Sequence, residues 1–482
     1  MTAATRKPGV AGLYLVLVLN GFVAAAGLTV LYLMLATLYR EYAGSPGVGW
    51  AVTSYLLVSA IAAALCGRLG DLLGRRFMVL VVLGLAGVGA LAGAFLPSLA
   101  GLVLGCALQG VAGSLMPLSI GMAREHLPAD RVPVALGILS CAGMFGAGIA
   151  FVLAGVVIEH FASHGGFVLK CVLAIGAFVA VALVVPRPLQ PPASLKGVDL
   201  VRGILFAPAL AVALLALQAA RERGWGDARV LGGFAAAGLI FLYWARHQAL
   251  QARPLINVRM LAERRVALTN LAMIFLALGA IQLGQMLSLL LQQPSWTGIG
   301  LGLSPSAMGW VMLPLNALTI VVSPLAGRIG RRIGDQPVAL VGACACLVAW
   351  LALVAWHETF VQLVAAAVCC TIGYGLLMPA LYNLIARASP IENASEAAGI
   401  NAVCLAAFMA VGSQLLFGLL GSQTVHDAAR DASTYPSEGA FRLAFTYLVA
   451  MCACCLVTLL ALGRRPADEA AAERGLPVDA AR

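Results

Sequence analysis

Chemistry in this chain is confined to a few polar residues set inside long apolar runs. Gln282, Gln285, Ser288 and Gln292 follow one another at spacings of three and four, which places them close to one face of a helix. Amides and a hydroxyl on such a face can donate and accept, so the stripe reads as one wall of a solute cavity. The competing reading is helix–helix hydrogen bonding, worth about 0.6 kcal/mol per bond on average in membranes. The other candidates are Asn20, Thr29, Tyr32, Gln109, Ser114, Asn316, Thr319, Tyr374, Asn383, Asn401 and Gln414. A lining of amides, hydroxyls, aromatics and aliphatics suits a small neutral or amphipathic organic compound. A dianion would want a buried Arg, and a cation a carboxylate or an aromatic cage.

The missing chemistry is equally informative. No Asp or Glu stands in the middle of a run, and intramembrane carboxylates are the usual proton carriers. All six His (126, 160, 164, 247, 357 and 426) fall in loops or at run ends. The 12 Cys sit in or at the ends of runs without loop pairing, so they read as small core residues, not disulfides or metal ligands. Lys170 lies near the outer end of the sixth run and is expected to snorkel to the interface. Glu41, just past the first run, is the nearest thing to an external proton site. With no nucleophile or metal cluster inside the runs, the chain is expected to be no enzyme and to hold no metal or cofactor.

The elements that carry these residues follow from composition. The 482 residues are 62% hydrophobic and 10% charged, with mean hydropathy +0.97, against about 25% charged in soluble domains. Fourteen apolar runs are visible: 12–38, 49–66, 77–96, 99–122, 134–158, 167–185, 202–220, 229–246, 266–291, 305–326, 337–356, 360–385, 398–420 and 440–462. Each can cross about 30 Å of hydrocarbon as a helix, and only helices satisfy every backbone group within one segment. Arg6 and Lys7 precede a first run too long for a signal peptide. With the N-terminus inside, 23 Lys and Arg fall on the inner side and 7 on the outer, the sign expected for cytoplasmic loops. The net charge of +10 is therefore a topology signal and implies no nucleic-acid partner.

An internal repeat organises the runs. Gly67-Arg68-Leu69-Gly70-Asp71-Leu72-Leu73-Gly74 recurs without a gap as Gly327-Arg328-Ile329-Gly330-Arg331-Arg332-Ile333-Gly334. Each copy follows the second run of a six-run block. The expected organisation is a six-helix bundle over 1–190, two inserted helices over 191–262, a second six-helix bundle over 263–463 and a cytoplasmic tail over 464–482. Two related bundles imply a central cavity between them.

Those residues resemble the major facilitator superfamily, in particular its fourteen-helix drug:proton antiporter branch, over nearly the whole chain. The resemblance implies an all-α polytopic membrane fold with 6+2+6 helices and both termini cytoplasmic. It implies a monomeric transporter in the inner membrane whose partners are a small-molecule substrate and the bilayer. Drug or metabolite efflux by alternating access is the implied activity. Gly67, Asp71, Gly74, Arg75 and Arg76, with Gly327, Arg328 and Arg331, match the family's gating loop, in which Asp71 would make a breakable contact with an Arg or a helix end.

Three departures concern coupling. Cys106 stands three residues before Gln109, where the family's fourth helix has Arg. Gly137 and Gly146 fit the fifth-helix glycine ladder, but Ala150-Phe151 replace its Gly-Pro, and Ala154-Gly155 its glycine pair. Gly27 stands where the first helix often carries Asp. Together they weigh against proton antiport while leaving the fold intact. The alternative class is a non-transporting scaffold or sensor that keeps the transporter fold.

Overall fold

The computed structural model describes residues 10–42, 45–96, 98–128, 130–186, 205–224, 226–251, 263–388, 394–427 and 434–463. The Pro-rich linker after 186, the Arg-rich loop 252–262 and the tail 464–482 lie outside the described residues. The helices are α1 Val10–Glu41, α2 Gly49–Leu73, α3 Arg75–Phe95, α4 Leu99–Gly110, α5 Leu115–His126, α6 Val132–Val184, α7 Phe206–Arg223, α8 Ala228–Leu250, α9 Arg264–Leu278, α10 Leu283–Gln292, α11 Pro305–Ile333, α12 Asp335–Ala355, α13 Phe360–Ala388, α14 Ala394–Leu420 and α15 Glu438–Ala461.

Among the described residues 12 helical segments are long and apolar enough to cross a membrane, and Phe206–Ala220 is a shorter apolar helix. One of the 12 segments is itself two crossings. α6 breaks at Ala162, whose φ of 52° and ψ of −152° are not helical. Gly12 of α1 faces Val184, Gly21 faces Leu139, and Gly166 abuts both Met34 and Ile158. Both arms of α6 therefore run along α1, folded back at Ala162. Glu41 caps the second arm: its Oε1 accepts the Ser163 N–H at 3.0 Å.

Two apolar runs are broken within their length. A 3₁₀ turn, Val111–Ser114, separates α4 from α5. Gly279, at φ −112° and ψ −99°, separates α9 from a 3₁₀ turn, Ala280–Gln282, and then α10. A break releases backbone groups that lipid cannot satisfy. Gln282 supplies the remedy by donating from Nε2 to the Ala277 carbonyl at 3.0 Å.

The repeat reappears as backbone geometry. Gly74 (φ 96°, ψ 130°) joins α2 to α3, and Gly334 (φ 93°, ψ 154°) joins α11 to α12. A positive φ is cheap only for glycine. Close glycine packing is duplicated as well. A Cβ on Gly105 would meet Gly89 and Gly93 of α3, and one on Gly342 of α12 would meet the Gly373 carbonyl of α13.

One core cluster, from Leu13 to Val185, is built from α1–α6 alone. A larger one joins α1, α2, α4 and α6 to α9–α15. Phe206, Ala207 and Trp244, from α7 and α8, pack with Val403 of α14 and with Ile61 and Ala64 of α2. Trp50 of α2 donates its indole N–H to Gln218 of α7. The extra pair of helices is thus seated along the α2–α14 seam.

A β-hairpin, absent from the sequence reading, lies between α14 and α15. Thr424–His426 pairs antiparallel with Thr434–Pro436. Tyr435 packs edge-on against Trp296, 5.6 Å between centroids, and the Pro436 carbonyl accepts from Gln293 Nε2 at 2.9 Å. The molecule thus has a hairpin end and, opposite it, a motif end where Gly74 and Gly334 lie.

Candidate functional site

A cavity of about 310 Å³ lies between α1, the first arm of α6, α10, α11 and α13. Its polar lining is Thr29, Tyr32, Asn316, Thr319, Thr371 and Tyr374. Ala25, Leu28, Phe151, Ile281, Met312 and Leu315 are among its apolar walls, and none of its lining residues is charged. Asn316 is held by Nδ2 donation to the Met312 carbonyl at 2.9 Å, and Thr319 by Oγ1 donation to Leu315 at 3.2 Å. Both keep acceptor lone pairs for a ligand. Thr371 was not singled out by sequence, although it stands one helical turn before Tyr374, on the same face.

The structure gathers Thr29, Tyr32, Asn316, Thr319 and Tyr374 here, and the remaining polar side chains of the amide stripe, with Asn20, Gln109 and Asn383, meet other partners. Gln282 ties α14 to the Gly279 break, donating to Ala277 and also to Met409 at 3.1 Å. Ser288 donates to the Tyr32 carbonyl at 2.5 Å, and Gln292 to the Leu33 carbonyl at 3.2 Å. Ser288 and Gln292 therefore form a seam between α10 and α1. Gln285 is fully buried, and neither of its amide atoms has a hydrogen-bond partner. Asn20 donates to Ser119 Oγ at 3.1 Å, tying α1 to α5. Gln109 donates to the Gly89 and Gly105 carbonyls at 3.2 and 3.0 Å. Asn383 donates to Asp335 Oδ1 at 3.0 Å, at the motif end. Periodicity identifies the polar face of the Gln282–Gln292 stripe; only packing decides what that face, or a lone Asn20, Gln109 or Asn383, meets.

The residues of the repeated glycine–arginine motif lie at the motif end. Arg75 donates to the Gly121 carbonyl at 2.6 Å and stands 3.8 Å from Glu125, both on α5. Arg76 donates to the Ala182 carbonyl at 2.9 Å. Asp71 is on α2, but its side chain and that of Arg68 lie outside the described residues. Gly67 and Gly327 have open space where a Cβ would stand, and Arg328 and Arg331 are exposed.

Contacts across the cavity gather towards the hairpin end. Gly148 faces Leu313 and Asn316 of α11, Gly309 abuts the Phe151 carbonyl, and Gly155 faces Pro305 and Ser306. Gly49 of α2 packs on Phe417 of α14, and Thr53 Oγ1 donates to Gln414 Oε1 at 2.9 Å. Ala150 and Phe151 are buried in this contact. Gly146 packs on Phe22 of α1, and Gly137, nearer the motif end, has open space beside it. The helix with the altered glycine ladder is thus the main strut between the two groups of helices.

Lys170 corrects the sequence reading. It does not snorkel: it is 6% exposed, inside the first group of helices, and its Nζ has no hydrogen-bond partner. The ammonium lies 5.9 Å from the Tyr55 ring centroid and 5.4 Å from that of Phe167. Hydropathy placed Lys170 near a run end; the direction of its side chain is a tertiary fact.

The profile of the Major Facilitator Superfamily matches residues 17–299 and 274–480. Over 397 residues the chain is 27% identical to the tetracenomycin C resistance and export protein of Streptomyces glaucescens, covering 81% of this chain and 72% of that one. It is 26% identical over 396 residues to multidrug resistance protein Stp of Mycobacterium tuberculosis, with 80% and 71% covered. To the probable actinorhodin transporter of Streptomyces coelicolor it is 27% identical over 423 residues, with 80% and 69% covered. Its fold is that of a D-xylose-proton symporter, with a TM-score of 0.63 at 13% identity and 98% and 99% of the chains covered. The inward-open xylose transporter XylE from E. coli gives a TM-score of 0.61 at 15% identity, with 95% and 97% covered. A profile match over nearly the whole chain and a shared all-helical architecture agree: this multi-pass membrane protein belongs to the Major Facilitator Superfamily.

Proposed function

We propose that the chain, acting as a monomer in the inner membrane, exports a small neutral or amphipathic organic compound, a drug or antibiotic, by alternating access. One observation carries the reading: the uncharged cavity of about 310 Å³ between the two groups of helices, within the usual range of small-molecule sites. Arg75, Arg76, Arg328, Arg331 and Arg332 all belong to the motif end. The positive-inside rule therefore puts that end in the cytoplasm. With the hairpin end bridged, the state is one that loads substrate from the inside. Helices α1–α6 and α9–α15 then rock about the cavity, with α7 and α8 riding on the α2–α14 seam. The relatives named for tetracenomycin C and actinorhodin make those two compounds the first to try.

The test is susceptibility of a pump-deficient bacterial host to tetracenomycin C, actinorhodin, chloramphenicol and a panel of neutral and amphipathic antibiotics. Expression should raise resistance to some of them, with lower cell-associated drug. No protection across the panel, with the protein present in the membrane, would count against export.

A further inference from the structure

We propose that Lys170 is a proton-binding site, served by one buried water, that couples proton movement to the transport proposed above. The proposal rests on that transport reading and adds the ion to it. A lone ammonium in a low-dielectric interior is costly, and ionisable groups inside membrane proteins mark ion pathways more often than structure. Two aromatic rings near Lys170 offset part of that cost, and no anionic partner appears among the described residues.

Beside Lys170 lies a cavity of about 20 Å³, lined also by Val23, Gly27, Ala86, Gln109 and Leu173. That is room for one water and too little for an organic solute. Gln109 is fixed there by its two donations to Gly89 and Gly105, which orient its amide. Its Oε1 has no hydrogen-bond partner. A water at this place accepts from Lys170 Nζ and donates to Gln109 Oε1, so two buried polar atoms are satisfied at once.

The surrounding titratable groups are few. Tyr55 comes from α2 and Cys106 from α4, and Tyr32 of α1 lies next to Tyr55. α3 contributes only Ala86 to the cavity wall. None of these is a stronger base than an amine at neutral pH, so the proton resides on Lys170. The step is a simple one: the neutral amine takes a proton from water on one side and returns it to water on the other.

The route to the substrate cavity is short. The Tyr55 hydroxyl packs against Gly27, where a Cβ would come within 2.3 Å of it. Gly27 lines the small cavity, and its α1 neighbours Leu28, Thr29 and Tyr32 line the large one. A single helix, α1, therefore separates the proton site from the substrate site. Charging Lys170 favours whichever arrangement of α1 admits more water beside it.

The experiment uses the full chain in liposomes with radiolabelled chloramphenicol as probe. Exchange with no gradient and accumulation driven by a pH gradient are measured side by side. Wild type should do both. Lys170→Met, and Lys170→Arg, which keeps the charge but cannot give up its proton, should keep exchange within about twofold and lose accumulation by about tenfold or more. Wild-type accumulation in either variant overturns the proposal, as does a wild type that exchanges the drug but ignores the pH gradient. Failure of wild type even to exchange it strikes the transport reading instead. A second measurement needs no variant to fold. The chain has three lysines, Lys7, Lys170 and Lys196, so lysine-selective ¹⁵N NMR gives three side-chain titrations. One midpoint should move when chloramphenicol is added while two stay fixed; three fixed midpoints overturn the proposal.

Discussion

Arg75 and Asp335 hold the same place in the two groups of helices and carry opposite charges. Each directly follows a positive-φ glycine, Gly74 or Gly334, and each opens a helix. Each then clamps its helix to a neighbouring one. Arg75 reaches the Gly121 carbonyl and Glu125 on α5. Asp335 takes the Asn383 amide and stands 3.1 Å from Arg387 Nε, both on α13. A duplicated turn thus serves two clamps of reversed polarity, and the intervening residues of the repeat keep their spacing.

Removing the acidic clamp should cost stability. Asp335 is 4% exposed, but Arg387 is 41% exposed, so solvent screens the pair. Asp335→Ala is expected to lose about 1–2 kcal/mol, near the low end for hydrogen bonds to charged groups. Gly334→Ala should cost a similar amount, about 1–2 kcal/mol, because Ala pays for the left-handed backbone. Thermal unfolding in detergent reads both. Midpoints equal to wild type would mean that the clamp is ornamental.

Cavity residues should separate from clamp residues in function. Tyr374→Ala and Asn316→Leu alter the lining of the 310 Å³ cavity and are expected to lower resistance about tenfold with normal membrane levels of protein. Asn383→Ala touches Asp335 and not the cavity, so it should lower the unfolding midpoint and leave apparent drug affinity alone. Drug-binding titrations on the purified variants check the split. An affinity loss in Asn383→Ala equal to that of Tyr374→Ala would refute it.

The strut between α6 and α11 has no room for a side chain. A Cβ on Gly309 would stand 2.6 Å from the Phe151 carbonyl oxygen and 3.0 Å from its carbon. Gly309→Val should therefore push the hairpin ends apart and disfavour this state without unfolding either group of helices. Hydrogen exchange in α6 residues near Phe151 and in the start of α11 should rise, and turnover should fall. Unchanged exchange there would show that the contact yields too easily to set the state.

The seam that holds α7 and α8 can be tested on its own. Trp244 is buried against Phe206, 5.6 Å between centroids, in a cluster shared with Val403. Trp244→Ala should loosen both helices and speed hydrogen exchange across 206–250, while the rest of the chain keeps its protection. A chain-wide loss of protection would instead make this pair part of the common core.

Much of the architecture was legible because lipid leaves few choices. Apolar runs of crossing length must be helices, and the repeat at Gly67 and Gly327 implies two related groups. Gly74 and Gly334 stand in the sequence as matched ends of that repeat, while their positive φ is a fact of the folded backbone. What escaped depends on packing. Gly279 looks like any glycine in an apolar run, yet it breaks a helix, and Gln282 is spent on the freed carbonyl. The Gln282–Gln292 face is polar as the spacing implies, but Ser288 and Gln292 meet the α1 backbone and Gln282 meets carbonyls of α9 and α14. The place of Lys170 along the chain points to the interface, whereas its long stem points inward past Phe167 and Tyr55. The hairpin at Thr424 and Thr434 was hidden in a loop too short to show alternation.

The claim beneath all of this is that the two groups of helices must part at the hairpin end for solute to cross. A Cβ on Gly49 would stand 3.3 Å from the Phe417 Cβ, close to the spacing a disulfide needs. The decisive measurement is chloramphenicol exchange in liposomes by a Gly49→Cys, Phe417→Cys double variant, oxidised and then reduced. Exchange should stop when the pair is oxidised and return on reduction, with the parent chain indifferent to both treatments. Exchange that continues unchanged through the closed disulfide would contradict alternating access through this cavity.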